Sequence, residues 1–325
     1  MKSNPGNYFC LACLLLLGLC CQSQAIILYG KDNSANTSDP GTGVPWQAVG
    51  KVTNNSGTSV TGSAIYLGSD WVLTANHVTV GGSNSYITFN GSGTYEIDTG
   101  QIFQVAPNVD MKVMKLKSTP SVTPVTLLGS GNETLGANAT HVGWGVGRDP
   151  SVPTGNQTVA WGVDSTSAKR WGINRLYDFV TISYGTGNYT AIRTILGASD
   201  GPGGPFNPDG VGDDESAATL YDSGSGLFEY LDSTWYLVGL TTGVQVFGSS
   251  FFADDSTVLP ANEPGHGNYF VRISSYESAI QALIPEPQTG ALLAMAAAGW
   301  ALAVRRRCRA TRPAAVLPGI PSRTV

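Results

Sequence analysis

Residues 71–77 read Trp71-Val72-Leu73-Thr74-Ala75-Asn76-His77, a short run of large apolar residues that ends on an ionisable imidazole. Four apolar or β-branched residues are too few for a helix and suit a buried strand, so His77 falls where a strand leaves the core. The same grammar recurs outward from it. Ser63-Ala64-Ile65-Tyr66-Leu67, Met111 to Leu116, Thr140 to Trp144 and Trp235 to Leu240 are short runs bounded by Gly, Asn, Asp or Ser. Between the runs stand Asn54-Asn55, Gly81-Gly82, Asn90-Gly91, Gly129-Ser130-Gly131-Asn132 and the stretch 201–204. Short strands with dense turn punctuation predict an all-β fold. The one helix predicted lies at the end of this core. There Ser274-Ser275-Tyr276-Glu277 fits an S-x-x-E capping box, and Tyr276, Ile280, Leu283 and Ile284 share one face that should dock on a barrel.

Composition narrows the class. Of 325 residues, 42% are hydrophobic and 9% aromatic, enough for a packed core and too much for a disordered chain. Charged residues make up only 13% and glycines number 41, which excludes a coiled coil. The formal net charge of −5 offers no basic field to a phosphate backbone, so no nucleic-acid partner is expected. The length suits one large β domain or two modest ones, with processing segments besides.

Those segments stand at the two ends. Cys10, Cys13, Cys20, Cys21 and Cys308 leave residues 22–307 without a cysteine. Lys2, the apolar run Phe9 to Leu19 and the small-residue pattern Ser23-Gln24-Ala25 have the layout of a secretory signal peptide over 1–25. An 11-residue apolar run is short for a membrane span. At the other end Pro285-Glu286-Pro287 precedes an apolar run, Thr289 to Val304, and the basic cluster Arg305, Arg306, Arg307 and Arg309. This combination resembles the PEP-CTERM sorting signal of Gram-negative bacteria (288–309). The resemblance implies removal by an exosortase during export to the cell surface or extracellular matrix. The alternative is a plain C-terminal anchor with its arginines cytoplasmic. Residues 310–325 carry no assignment, and their presence after the basic cluster departs from that signal's usual end. The core, 26–287, holds 11 basic and all 23 acidic residues, a net −12 hidden by the basic ends.

Within the core, chemistry begins with three histidines. His266, in Pro264-Gly265-His266-Gly267-Asn268, reads as a surface loop residue, and His141 sits in a strand-like run. A lone histidine such as His77 is commonly structural, but its company is not. Asp110 precedes the strand Met111 to Leu116, and Asp222-Ser223-Gly224-Ser225-Gly226 forms a tight loop before Leu227. A serine hydroxyl attacks only as a base takes its proton, and that base needs a third group to hold its tautomer. A glycine-rich loop also lets backbone N–H groups approach a developing oxyanion.

Here the sequence resembles the trypsin-like (chymotrypsin-fold) serine proteases. Thr74-Ala75-Asn76-His77-Val78 is similar to that family's TAAHC, with Val78 for the cysteine, and Asp110 to Leu116 to its DIALLKL. His141-Val142-Gly143-Trp144-Gly145 is similar to VxGWG, and Tyr221 to Leu227 to GDSGGPL. Trp235 to Gly243 resembles the strand lining the specificity pocket, and 267–284 the closing segment and terminal helix. The resemblance implies two six-stranded antiparallel β-barrels, divided near 148–157, and a serine endopeptidase acting on protein or peptide through an acyl-enzyme. By transfer Ser223 is the nucleophile, His77 the general base and acid, and Asp110 the orienting carboxylate. Thr241 takes the place of a serine that supports the aspartate, and Gly243 that of a pocket residue. Tyr221 and Ser223 supply the oxyanion-hole N–H groups. No metal or cofactor is implied.

Three further expectations follow from the resemblance. Tyr221 stands where the family has glycine, which raises a catalytically weak or inactive binding protein as the competing reading. Cleavage after Ala25 would leave Ile26 as a new N-terminus whose ammonium pairs with Asp222, so that signal peptidase itself would create the active form. Ala217, six positions before Ser223, occupies the position where cleavage after Lys or Arg calls for an aspartate, so a small or apolar side chain is expected in the pocket. The nearby Asp213, Asp214 and Glu215 read as a solvated acidic loop or a calcium site.

Overall fold

The computed structural model describes residues 26–284 apart from 82–83, 130, 155–157, 163–166, 197–210, 247, 249 and 253–265. The proposed signal peptide, the PEP-CTERM segment with its apolar run 289–304, and the tail 310–325 therefore lie outside the described residues. Among the described residues no helix is long and apolar enough to cross a membrane.

Six strands close the first barrel: β1 (Val49–Asn54), β2 (Ser59–Gly68), β3 (Trp71–Thr74), β4 (Tyr86–Phe89), β5 (Gly93–Gln104) and β6 (Lys112–Leu116). Their order is β1-β2-β3-β6-β5-β4, and pairing of Val52 with Ile87 joins β1 to β4 and removes both edges. β3 is buried at every position, as its unbroken apolar run requires, and β2 buries Ser63 to Leu67 nearly throughout. The turn from β2 to β3 is the two residues Ser69 and Asp70, both with positive φ (48° and 72°). That geometry matches the right-handed twist of the flanking strands. It is repeated at Asp232 and Ser233 in the second sheet.

The second sheet is built from β7 (Asn138–Gly145), β8 (Ala168–Arg175), β9 (Asp178–Tyr184), β10 (Gly187–Ile195), β11 (Gly226–Leu231), β12 (Thr234–Val244) and β13 (Gly267–Arg272). The order is β8-β7-β11-β12-β13-β10-β9, all antiparallel, with Thr126–Leu127 adding a short parallel pair to β12. Its two edge strands, β8 and β9, are consecutive in the chain and joined by only Leu176 and Tyr177, so the sheet must curl until its edges approach. The architecture is all-β, a closed six-stranded barrel and a second antiparallel sheet with one short helix, consistent with the two-barrel fold that the resemblance implies. The change from the first sheet to the second falls between Leu116 and Thr126, upstream of the division placed at 148–157. The Pro- and Gly-rich segment around 148–157 instead links two strand segments of the second half, because punctuation reports a loop without reporting which sheet its flanking strands join.

Helix α1 (Glu277–Leu283) ends the described chain. Ile280 is fully buried, and Tyr276, Leu283 and Ile284 pack against the main core beside it, the face its 3.6-residue period predicts. The capping box does not form. Tyr276 occupies the N-cap with no side-chain bond. The Ser274 hydroxyl turns instead to Glu133, which also receives two bonds from Arg272 (3.0 and 2.7 Å). A charged acceptor held by a guanidinium outcompetes a backbone N–H for that hydroxyl.

Candidate active site

The loops after β3 and before β6 and β11 converge. His77 leaves the end of β3, Asp110 stands two residues before β6, and Ser223 lies in the turn entering β11. His77 Nε2 is 2.7 Å from Ser223 Oγ, and its Nδ1 is 2.6 Å from Asp110 Oδ2. The His77 backbone N–H also donates to Asp110 Oδ1 at 3.0 Å, so ring and main chain are gripped by one carboxylate. Asp110 is 3% exposed. Burial alone would raise its carboxyl, but hydrogen bonds from His77 and Thr242 and the nearby imidazole hold it below the ordinary carboxylate range. It is therefore an anion that can only accept.

The support expected from Thr241 comes from its neighbour. Thr242 Oγ1 donates to Asp110 Oδ2, while Thr241 faces the opposite way. The pairing of β12 with β13 shifts register between Thr241 and Gly243. In a strand of period two, such a bulge exchanges inward and outward faces. Thr241 instead joins Ser225 (2.6 Å) and His141 (3.0 Å), with His141 Nε2 also 2.7 Å from Ser225 Oγ. Burial pushes the His141 imidazole down to about 3, so this cluster behind the Ser223 loop is neutral. Gly224 N–H bonds Thr241 O and Thr241 N–H bonds Ser225 O, fixing the loop to β12.

The Tyr221–Gly226 turn is held by contacts that leave no room for side chains. Ser63 N–H donates to Ser223 O (2.8 Å), and Ser63 Oγ accepts from Trp144 N–H (2.9 Å), so this serine pins the two halves together. A Cβ on Gly143 would lie 2.6 Å from Asp222 Oδ1, and one on Gly145 2.7 Å from Oδ2. The two glycines of the Gly-Trp-Gly motif thus form the bed on which Asp222 rests. Tyr221 takes φ +72°, the left-handed conformation that favours glycine and costs another residue about 1–2 kcal/mol. The tyrosine has adopted the glycine geometry. Among the described residues neither its N–H nor that of Ser223 has a hydrogen-bond acceptor, which leaves two donors beside the hydroxyl.

No local sequence pattern marks Lys112, at the start of β6, as part of the site. It is 6% exposed, and its Nζ donates to the carbonyls of Asn76 (3.0 Å) and Val78 (2.5 Å), one on each side of His77. Burial lowers its pKa, and the Asp110 charge opposes that shift.

The Ile26–Asp222 pair is also brought together. Both residues are fully buried, and Ile26 N lies 3.3 Å from Asp222 Oδ2, which Thr219 also contacts through its N–H (2.8 Å) and hydroxyl (3.1 Å). Burial pushes the Asp222 carboxyl up to about 7, against the pull of those hydrogen bonds and of the Arg170 charge. Ala217 is fully buried and pairs with Ile27, within a cluster that includes Tyr29, Val159 and Leu196. Beside Gly243 a Cβ would meet nothing within 4 Å. The acidic stretch faces the N-terminal segment, with Asp214 paired to Lys31 at 2.6 Å and Asp213 O accepting from Gly30. His266 is 5% exposed and its carbonyl accepts from Leu196 N–H, so the surface position read from its loop composition is corrected to a buried one. Among the described residues no group of three or more His, Cys, Asp or Glu could hold a metal ion.

Ser223, His77 and Asp110 form a hydrogen-bonded array where the two halves of the β fold meet, an arrangement that supports a serine-type peptidase. Residues 33–188 match the family model described as Trypsin, a span that includes His77 and Asp110 and ends before Ser223. No curated protein matches the chain. Similar solved structures include the Rv3671c protease of M. tuberculosis in an inactive form, at 12% identity and TM-score 0.44 over 74% of this chain and 90% of that one. The HtrA-type protease AlgW with a tripeptide is 16% identical at TM-score 0.47 over 75% of this chain, which spans 62% of AlgW. The MamO protease domain of Magnetospirillum magneticum is 13% identical at TM-score 0.44, with 73% and 97% covered.

Proposed function

We propose that the chain is an exported serine endopeptidase that hydrolyses peptide bonds by a Ser223–His77–Asp110 triad. The observation that carries this reading is the continuous array from Ser223 Oγ through both nitrogens of His77 to Asp110, at 2.7 and 2.6 Å. With Asp110 able only to accept, His77 Nδ1 carries the proton and Nε2 is free to accept from Ser223 as the hydroxyl attacks the carbonyl carbon. The imidazolium then protonates the leaving amine, and water repeats the cycle on the acyl-enzyme. The Tyr221 and Ser223 N–H groups serve the oxyanion. The buried, uncharged Ala217 favours small or apolar side chains before the scissile bond. Export through the signal peptide, exosortase processing and membrane contact through 289–304 belong to the same proposal. A fluorophosphonate probe should label the folded, processed protein, and Ser223→Ala and His77→Ala should each abolish labelling. An unlabelled folded protein would instead favour a surface binding protein, the reading that a tyrosine at position 221 raises from sequence.

Signal-peptide cleavage after Ala25 forms part of this proposal as the activating step. Ile26 holds φ +32°, a conformation that a β-branched residue rarely adopts. The φ angle needs a preceding carbonyl, so cutting the Ala25–Ile26 bond removes the strain and creates an ammonium beside Asp222. While Ile26 is an internal residue, the raised Asp222 pKa makes a stabilising contribution that is fully present below the ordinary 3.8 and is lost as pH rises through about 7. An ammonium at Ile26 pulls that pKa down and removes the loss. Thermal unfolding between pH 4 and 7.5 should therefore show protein starting at Ile26 holding its Tm, while protein with an acetylated Ile26 declines. Parallel curves would refute the activating role.

A further inference from the structure

The geometry points to Tyr189 as a positioning residue of the active site, acting on Asp110 through the hydroxyl of Thr242. The inference rests on the triad reading above and extends it outward by two residues. Tyr189 lies on β10, 4% exposed, with its ring packed edge-on against Tyr184 at 6.3 Å. Its OH is 3.0 Å from Thr242 Oγ1, which is itself bonded to Asp110 Oδ2.

The direction of each proton follows from chemistry. Three donors converge on Asp110: the His77 backbone N–H, His77 Nδ1–H and the Thr242 hydroxyl. An ionised carboxylate has no proton to give, so the single Thr242 proton must point at Oδ2. The Thr242 oxygen is then only an acceptor, and the Tyr189 hydroxyl must donate to it. Burial pushes the Tyr189 phenol up to about 12, so that proton is retained across the working range. A threonine hydroxyl left alone can rotate and share its proton with other acceptors. One that accepts from a buried phenol is held in a single orientation and polarised into a better donor. Donation therefore converges on Asp110 from two sides, from Tyr189 through Thr242 and from Ser223 through His77, and Tyr189 fixes the direction of the first arm. Tyr189 also fastens β10 to β12, the strand that carries Thr242, so the phenol and the threonine are held on one sheet.

The test is a double-mutant cycle of Tyr189→Phe and Thr242→Val, with Thr242→Ser as the conservative variant. It is read by two measurements, with thermal unfolding as the fold control. For inactivation by a fluorophosphonate, Tyr189→Phe should lower the maximal rate about fivefold, the worth of one neutral hydrogen bond of ~1 kcal/mol, with the half-saturating concentration unchanged. In the Thr242→Val background the same change should have no further effect, whereas in Thr242→Ser it should cost as much as in the parent. The second measurement does not need activity. The downfield proton resonance of the His77 Nδ1–H to Asp110 bond should move in Tyr189→Phe in the same direction as in Thr242→Val, and by less. Independent, multiplying effects of the two changes, or a resonance unmoved by Tyr189→Phe, would overturn the inference. A wild-type protein that fails to label refutes the peptidase reading instead, and the resonance still decides the role of Tyr189.

Discussion

Asp110→Asn is expected to reduce turnover by roughly 10⁴ while leaving the fold intact, the order of loss that follows when a triad histidine is held in the wrong tautomer. The geometry explains why so small a change is so costly. Asp110 Oδ1 accepts from the His77 backbone N–H, and Oδ2 accepts from both His77 Nδ1 and Thr242. An asparagine has one carbonyl oxygen and one NH₂ for these two positions. Placing the NH₂ at the Oδ1 position sets it against a backbone N–H that cannot turn away. Placing it at Oδ2 requires His77 Nδ1 to accept, which puts the ring proton on Nε2 and leaves nothing to take the proton of Ser223. Asp110 is nearly inaccessible, so water cannot relieve either clash. Steady-state hydrolysis and fluorophosphonate labelling should both fall by that factor, with Tm changed little because the side-chain volumes match. A variant retaining more than about a tenth of the wild-type rate would mean that Asp110 does not set the tautomer.

That Ser223, His77 and Asp110 would meet was legible in the sequence because each sits beside a strand whose apolar run is hard to misread: Trp71 to Leu73 before His77, Val113 and Met114 after Asp110, and Leu227 and Phe228 after Ser223. The supports were not legible in the same way. Thr241 and Thr242 are adjacent and chemically identical, and a bulge one residue further on decides which of them faces Asp110. No local pattern announces that bulge. No local pattern marks Tyr189 or Lys112, because their partners are 53 and 34 to 36 residues away in the chain. The burial of His266 is hidden from its sequence because a glycine-rich neighbourhood specifies backbone freedom and says nothing of what packs over it. The lost capping box has the same origin, since the competing carboxylate of Glu133 lies 141 residues from Ser274. Local preferences locate strands and loops, whereas the register between distant strands selects which side chains meet.

Gly224→Ala carries the second large expectation: a loss of stability of about 2–5 kcal/mol together with loss of labelling. Gly224 has φ +82°, where a side chain costs about 1–2 kcal/mol. An added Cβ would also lie 2.2 Å from the Ser63 carbonyl oxygen, 2.3 Å from Thr74 Oγ1 and 3.1 Å from the Ala75 nitrogen. None of these can give way cheaply. Ser63 O is the acceptor for Thr74 Oγ1 (2.6 Å), and the Ser63 N–H holds Ser223 O, so moving that peptide breaks the contact by which the first barrel grips the nucleophile loop. Overpacking of this kind adds roughly 1–3 kcal/mol to the backbone strain. The displacement acts on Ser223 directly, and a misplacement of about 1 Å suffices to cost on the order of 10² in rate. Gly243→Ala is the matched control. It lies on the neighbouring strand with nothing within 4 Å of its Cβ position, so its stability should change by less than about 0.5 kcal/mol. Denaturant unfolding of the two variants, with labelling rates measured under native conditions, separates the effects. If Gly224→Ala unfolds at the wild-type midpoint, backbone contact between the nucleophile loop and the first barrel is not what holds Ser223 in place.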